Sequence, residues 1–283
     1  MSTEGSASLT ADSVPVAYSL TDEVATITLN DPEKRNVLSV DSLKALAAAL
    51  ARAAEDPAAR VVVITGAGNT FCAGADLKGA SAAGESSSDS EDGKLWDGPQ
   101  AIVTVLKAIL DHPKPTIARV QGHVAGGGNG LVAACDLAVA TESAKFAYSE
   151  VRVGVAPAVI SVVCLRKMNV ADGYELFLTG ERISAKRALE AGLINKVTTD
   201  GGEIGQDLDA LDAQVAAYTA MLRQGGPEAL KNTKRLLNEI PQLKRDDAFE
   251  VTAKLSAELF GSEEAAAGMG AFLKREKPPW IRS

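Results

Sequence analysis

The stretch ARVQGHVAGGGNGLVAACD, from Ala118 to Asp136, joins a short apolar strand to an apolar run of helical length through three consecutive glycines. Glycines at such a junction let an oxygen of a bound molecule come close to the main chain. A helix beginning near Asn129 would aim its unpaired N–H groups and the positive end of its dipole at that oxygen. The junction therefore suits negative charge developing on oxygen.

The same grain recurs on both sides of this stretch. Upstream, Val16 to Ser19 and Val24 to Leu29 read as strands joined by a turn at Thr21-Asp22-Glu23, and Ser39 is placed to cap an amphipathic helix that ends near Asp56-Pro57. Val61 to Thr65 is apolar at nearly every position, as a strand covered on both faces would be. It leads into a small-residue loop, Gly66 to Leu77, and Pro99 to Leu110 is again a helix. Downstream, Asp136 to Thr141, Ala144 to Tyr148 and Ile194 to Val197 read as strands, Ser149 to Val159 as a loop, and Ser161 to Met168, Asp172 to Leu178 and Ser184 to Ala191 as helices. Units of strand, glycine turn, second strand or loop, and helix are too small to bury their own apolar faces, so they stack. The fold class is α/β with a repeated ββα grain. Past Gly201-Gly202 the pattern is wholly helical.

Three domain-level segments follow: a disordered N-terminus at 1–14, a core at 15–200, and a helical part at 201–283 with apolar faces suited to self-association. Within the core, 79–98 is dominated by Ser, Gly, Asp and Glu, which reads as a flexible insertion, with a lid over the site as the alternative. The formal net charge of −8 argues against partners that need a basic face, nucleic acid and anionic membrane among them. No apolar run approaches the ~20 residues of a membrane span. Cys72, Cys135 and Cys164 are odd in number and widely spaced, which disfavours a disulfide framework or a metal cluster and favours a reducing cytoplasm. Gly66-Ala67-Gly68 lacks the third glycine of a dinucleotide fingerprint, where Phe71 stands, and no phosphate-loop lysine follows any glycine.

FCAGADL (Phe71 to Leu77), HVAGGGNGLVAACDLAVA (His123 to Ala140) and FAYSEVRVGVAP (Phe146 to Pro157) together, in this order and spacing, resemble the enoyl-CoA hydratase/isomerase, or crotonase, family. The resemblance runs from about Val16 to the end of the chain and implies a crotonase-like spiral of ββα repeats with a C-terminal helical domain. It implies an acyl-CoA thioester whose carbonyl oxygen lies between the backbone N–H groups of Ala73 and Gly127, lined also by Gly74 and Gly126. Ala75, Asp76 and Leu77 would lie along coenzyme A, with Lys34 or Arg35 near its phosphates. Fixed N–H donors stabilise an enolate oxyanion without reorganising, and losing one typically costs about 2.7–4 kcal/mol in the barrier. Coenzyme A enters as part of the substrate, and no separate cofactor or metal is expected. Homotrimers, often paired into hexamers, are implied as well.

Glu150 matches the family's acid/base glutamate, and burial between Val151 and its neighbours would raise its pKa into the range useful for proton transfer. Gly130, however, stands where well-known hydratases carry a second glutamate. Three activities follow: hydration of a 2-enoyl-CoA, isomerisation of a 3-enoyl-CoA by Glu150 alone, or acyl-CoA binding without turnover. The first is the leading expectation. Cys72 reads as a small buried thiol rather than a nucleophile, His112 as a cap or surface residue, and His123 as a structural histidine near the pocket.

Overall fold

Val61–Gly66 (β3) is buried at every position because its sheet is covered on both sides. Val62 and Ile64 point into the main core, whereas Val61 and Val63 pack with Ile117, Val139, Leu211 and Val215 on the opposite face. The computed structural model describes residues 14–76, 96 and 98–282. The expected disordered start at 1–14 and insertion at 79–98 lie outside the described residues, apart from Val14, Trp96 and Gly98.

β3 is central in a six-stranded sheet of order β1-β2-β3-β5-β7-β10, in which β1 (Val16–Thr21) and β2 (Val24–Leu29) pair antiparallel. β5 (Thr116–Val120), β7 (Leu137–Thr141) and β10 (Lys196–Thr198) continue it in parallel. A second sheet has the order β4-β6-β8-β9, from Thr70–Cys72, His123–Ala125, Lys145–Ala147 and Arg182–Ser184. From the second unit on, each ββα unit therefore gives its first strand to one sheet and its second to the other. β4 and β9 lie in stretches expected as loop or helix cap, since three residues carry too little alternation to reveal a strand.

The helices of the spiral are α1 (Val40–Glu55), α2 (Pro99–Leu110), α3 (Gly127–Ala134), α4 (Ala158–Cys164), α5 (Val170–Thr179) and α6 (Ala185–Glu190). Ser39 caps α1 by accepting from the Ser42 N–H, as its position predicts. α3 begins at Gly127, two residues before the expected start at Asn129, because the chain turns into the helix directly after Gly126. α4 likewise starts at Ala158 rather than Ser161 and ends before Met168. Beyond it come α7 (Asp209–Arg223), α8 (Pro227–Glu239), α9 (Arg245–Phe260) and α10 (Glu263–Lys274). α7 covers the outer face of the large sheet through Leu211 and Val215, while Phe249, Phe260 and Phe272 on α9 and α10 are exposed.

His112 is not at the surface. It is 4% exposed, with Nε2 on the Leu50 carbonyl at 3.2 Å and Nδ1 accepting from the Lys114 N–H at 3.1 Å. No helix among the described residues is long and apolar enough to cross a membrane.

Candidate active site

Three segments far apart in sequence meet at the first turn of α3. Gly126 enters it with φ of +49°, a left-handed value that glycine adopts at little cost, and donates its N–H to the Ala147 carbonyl at 3.2 Å. The same carbonyl accepts Nδ2 of Asn129 at 2.8 Å. The neighbouring turn carries Gly74, with φ of +91°, and a methyl group there would come within 2.9 Å of the Ala125 carbonyl. A methyl group on Gly126 would lie 3.4 Å from Glu150 Oε1 and 3.7 Å from Gly74 Cα. Glycines are needed here because two backbones and a carboxylate share the space a side chain would fill.

Among the expected oxyanion donors, Ala73 is excluded by its own hydrogen bond: its N–H donates to the Arg35 carbonyl at 3.0 Å. The available amide is two residues on. Leu38 and Ala75 form a parallel bridge in which the Leu38 N–H bonds the Gly74 carbonyl at 2.8 Å and the Asp76 N–H bonds the Leu38 carbonyl at 3.4 Å. This pattern turns the Ala75 N–H to the other side, where it has no acceptor among the described residues. Gly127 is the first residue of α3, so its N–H has no partner within the helix. Leu38 lies beside both residues: its backbone bridges to Ala75, and its Cδ1 would sit 2.9 Å from a methyl on Gly127. Of the two alanine amides in this turn, the one left open among the described residues is that of Ala75, not Ala73.

Glu150 is half-buried in a short 3₁₀ turn, Ser149–Val153, directly after β8. Burial pushes its pKa above the ordinary carboxylate value, partly offset by its own backbone N–H. Its Oε2 is buried and has no hydrogen-bond partner among the described residues. At Gly130 a methyl group would meet Ile160 Cγ2 at 2.7 Å and Leu106 Cδ2 at 3.5 Å, so apolar side chains occupy the place of a second carboxylate.

The turn that holds Ala75 depends on a residue the sequence reading passed over. Asn36, 2% exposed and at φ of +54°, donates Nδ2 to the carbonyls of Ala67, Thr70 and Phe71 and accepts the Asp31 N–H. Its signal was the residue type, since Asn tolerates left-handed backbone better than most. Beside it, Lys34 and Arg35 are exposed, and Lys34 pairs with Asp31 at 3.6 Å. Asp76 follows Ala75 at the rim, and Leu77 lies outside the described residues. Cys72 is fully buried under the turn with its thiol pushed up to about 12 by burial, and it accepts the Gly74 N–H at 3.4 Å. That state suits packing rather than nucleophilic attack. His123 sits on β6 with Nδ1 buried and without a partner among the described residues, and burial together with Arg182, Arg35 and Lys145 lowers its pKa. No group of three or more metal-ligating side chains occurs among the described residues.

The family model described as enoyl-CoA hydratase/isomerase matches residues 20–283. The enoyl-CoA hydratase EchA19 of Mycobacterium tuberculosis is 34% identical over 254 residues, 89% of this chain and 91% of that protein. The (E)-benzylidenesuccinyl-CoA hydratase of Thauera aromatica is 32% identical over 271 residues, 94% of this chain and 98% of that protein. A solved enoyl-CoA hydratase from Mycobacterium smegmatis superposes with a TM-score of 0.82 at 32% identity, covering 94% of this chain and 98% of the other. The ββα spiral is thus the crotonase fold. Agreement in sequence and in backbone path over nearly the whole length leaves one assignment: the chain belongs to the enoyl-CoA hydratase/isomerase family.

Proposed function

We propose that this protein hydrates a 2-enoyl-CoA thioester. The observation that carries the reading is the placing of two open amides, Ala75 and Gly127, against Leu38, next to a half-buried carboxylate with a raised pKa. The thioester carbonyl accepts both N–H groups. Addition at C3 drives charge onto that oxygen, where the amides already point, and Glu150 supplies the proton at C2. The names of the M. tuberculosis and T. aromatica relatives support hydration over the other reactions of this family.

Coenzyme A enters with the substrate, its adenine end passing Asp76 and its phosphates near Lys34 and Arg35. The exposed Phe249, Phe260 and Phe272 support assembly into trimers or hexamers, and three buried unpaired thiols support a reducing compartment such as the cytoplasm. One observation favours a second reading. With Ile160 against Gly130 the second carboxylate of two-glutamate hydratases has no counterpart there, and Glu150 alone is sufficient for moving a proton between C2 and C4 of a 3-enoyl-CoA.

The two are separated by absorbance of the conjugated thioester. Loss of absorbance from a 2-enoyl-CoA is the expected result. No loss with short, long and branched substrates, together with a gain from a 3-enoyl-CoA, replaces hydration by isomerisation.

A further inference from the structure

Gly130 removes one carboxylate, yet the residue beside it is polar and buried without being satisfied. Asn129 is 0% exposed. Its Nδ2 donates to the Ala147 carbonyl at 2.8 Å, which fixes the amide orientation because a carbonyl can only accept. Its Oδ1 is then turned away from Ala147 and has no hydrogen-bond partner among the described residues. The second buried acceptor without a donor in this region is Glu150 Oε2. Both hang from the end of β8. Ala147 holds Asn129 and Gly126, Glu150 follows three residues later, and Oε1 of Glu150 lies over Gly126. On the Gly130 side, Ile160 and Leu106 offer no polar atom. Two acceptors with no protein donor call for a molecule that donates two protons, and water does so.

We propose that Asn129 Oδ1 and Glu150 Oε2 together hold the water that adds to the substrate, so that Asn129 replaces the carboxylate missing at Gly130. This rests on the hydratase reading. One water proton points to Asn129 and stays on the oxygen. The other passes to Glu150 as the oxygen bonds to C3, while the π electrons of the alkene move through C2 onto the thioester oxygen held by Ala75 and Gly127. Glu150 then returns that proton to C2, so both protons and the oxygen of one water end in the product. A neutral amide orients water without adding a second negative charge beside Glu150, which two carboxylates would do.

The test compares two reactions of the same site. Hydration needs the water, whereas exchange of the C2 protons of a saturated acyl-CoA in deuterium oxide needs only Glu150 and the two amides. Asn129→Leu is expected to lower kcat for hydration about 100-fold, the scale of a misplaced reactant, while exchange stays within about threefold. Equal loss of both reactions, or unchanged hydration, overturns the proposal by making Asn129 a scaffold residue. Asn129→Asp keeps both roles as the protonated acid, which burial favours: its O–H donates to the Ala147 carbonyl while the other oxygen accepts from water. It is expected to retain about a tenth or more of the hydration rate. Loss as complete as in the leucine variant overturns the proposal too. A wild-type protein that exchanges but never hydrates overturns the hydratase reading itself, which is a separate outcome from either variant result.

Discussion

α3 is eight residues long, about 12 Å along its axis, and its two ends treat buried polarity in opposite ways. At the C-terminal end the charged groups are paired. Asp136 Oδ2 accepts the Thr116 N–H at 2.7 Å, the Thr116 hydroxyl at 2.9 Å and Lys234 Nζ at 2.9 Å. Lys234 also donates to the Ile109 carbonyl at 2.9 Å, and Lys167 Nζ donates to the Cys135 carbonyl. At the N-terminal end the Gly127 N–H, Asn129 Oδ1 and Glu150 Oε2 all lack a partner among the described residues. A network that closes on itself spends its polarity on structure. One left open keeps its polarity for a ligand.

That contrast breaks most sharply at Glu150. Glu150→Gln should reduce kcat/KM by about 10³- to 10⁴-fold, the upper range for a general acid/base. Stability should be unchanged or slightly higher. A carboxyl whose folded pKa is raised stabilises most below its unfolded value and loses that contribution as pH rises, so removing its charge costs the neutral-pH fold nothing. By the same sign, wild-type kcat/KM should decline on the acid side from a pH above the ordinary carboxylate range, and a flat profile down to pH 4.3 would contradict the assignment. At the closed end the opposite pattern is expected. Lys234→Met should cost about 3 kcal/mol in urea unfolding, the low end for stripping a buried pair because Asp136 keeps Thr116, with kcat per folded molecule unchanged. A large fall in kcat without loss of stability would erase the distinction between the ends.

The smallest effect is a pH term beside the closed cluster. His112 is bonded through both ring nitrogens in its neutral form, and burial lowers its pKa to about 4. The unfolded chain binds that proton first, so stability is lost as pH falls from 6.5 towards 4. Between pH 6.5 and 5 the loss is about 2 kcal/mol. Measuring unfolding of wild type and His112→Gln at both values isolates it, and an equal acid loss in the two proteins would refute the assignment.

Where apolar periodicity was long, the sequence was legible: α2 falls where spacing puts it, and β3 shows its two-sided burial in five letters. Three motifs in register carried the family. Misreadings arose where a backbone bond decides. Nothing in FCAGADL tells which of two alanine amides is free, because Ala73 is taken by a carbonyl from Arg35, distant in sequence. α3 was expected two residues late because glycines read as helix-breaking. The open state of Asn129 depends on Ala147, eighteen residues away, and no local pattern encodes it.

The small sheet has a temporal consequence. Its three-residue strands come from points spread between Thr70 and Ser184, and each is too short to persist alone. Pairing of Ala125 with Ala147 is what measures out the gap between the glycine turn and Glu150. The ruler therefore exists only after distant segments have docked, a slow class of contact because the chain must first close long loops. No single ββα unit can set that register alone.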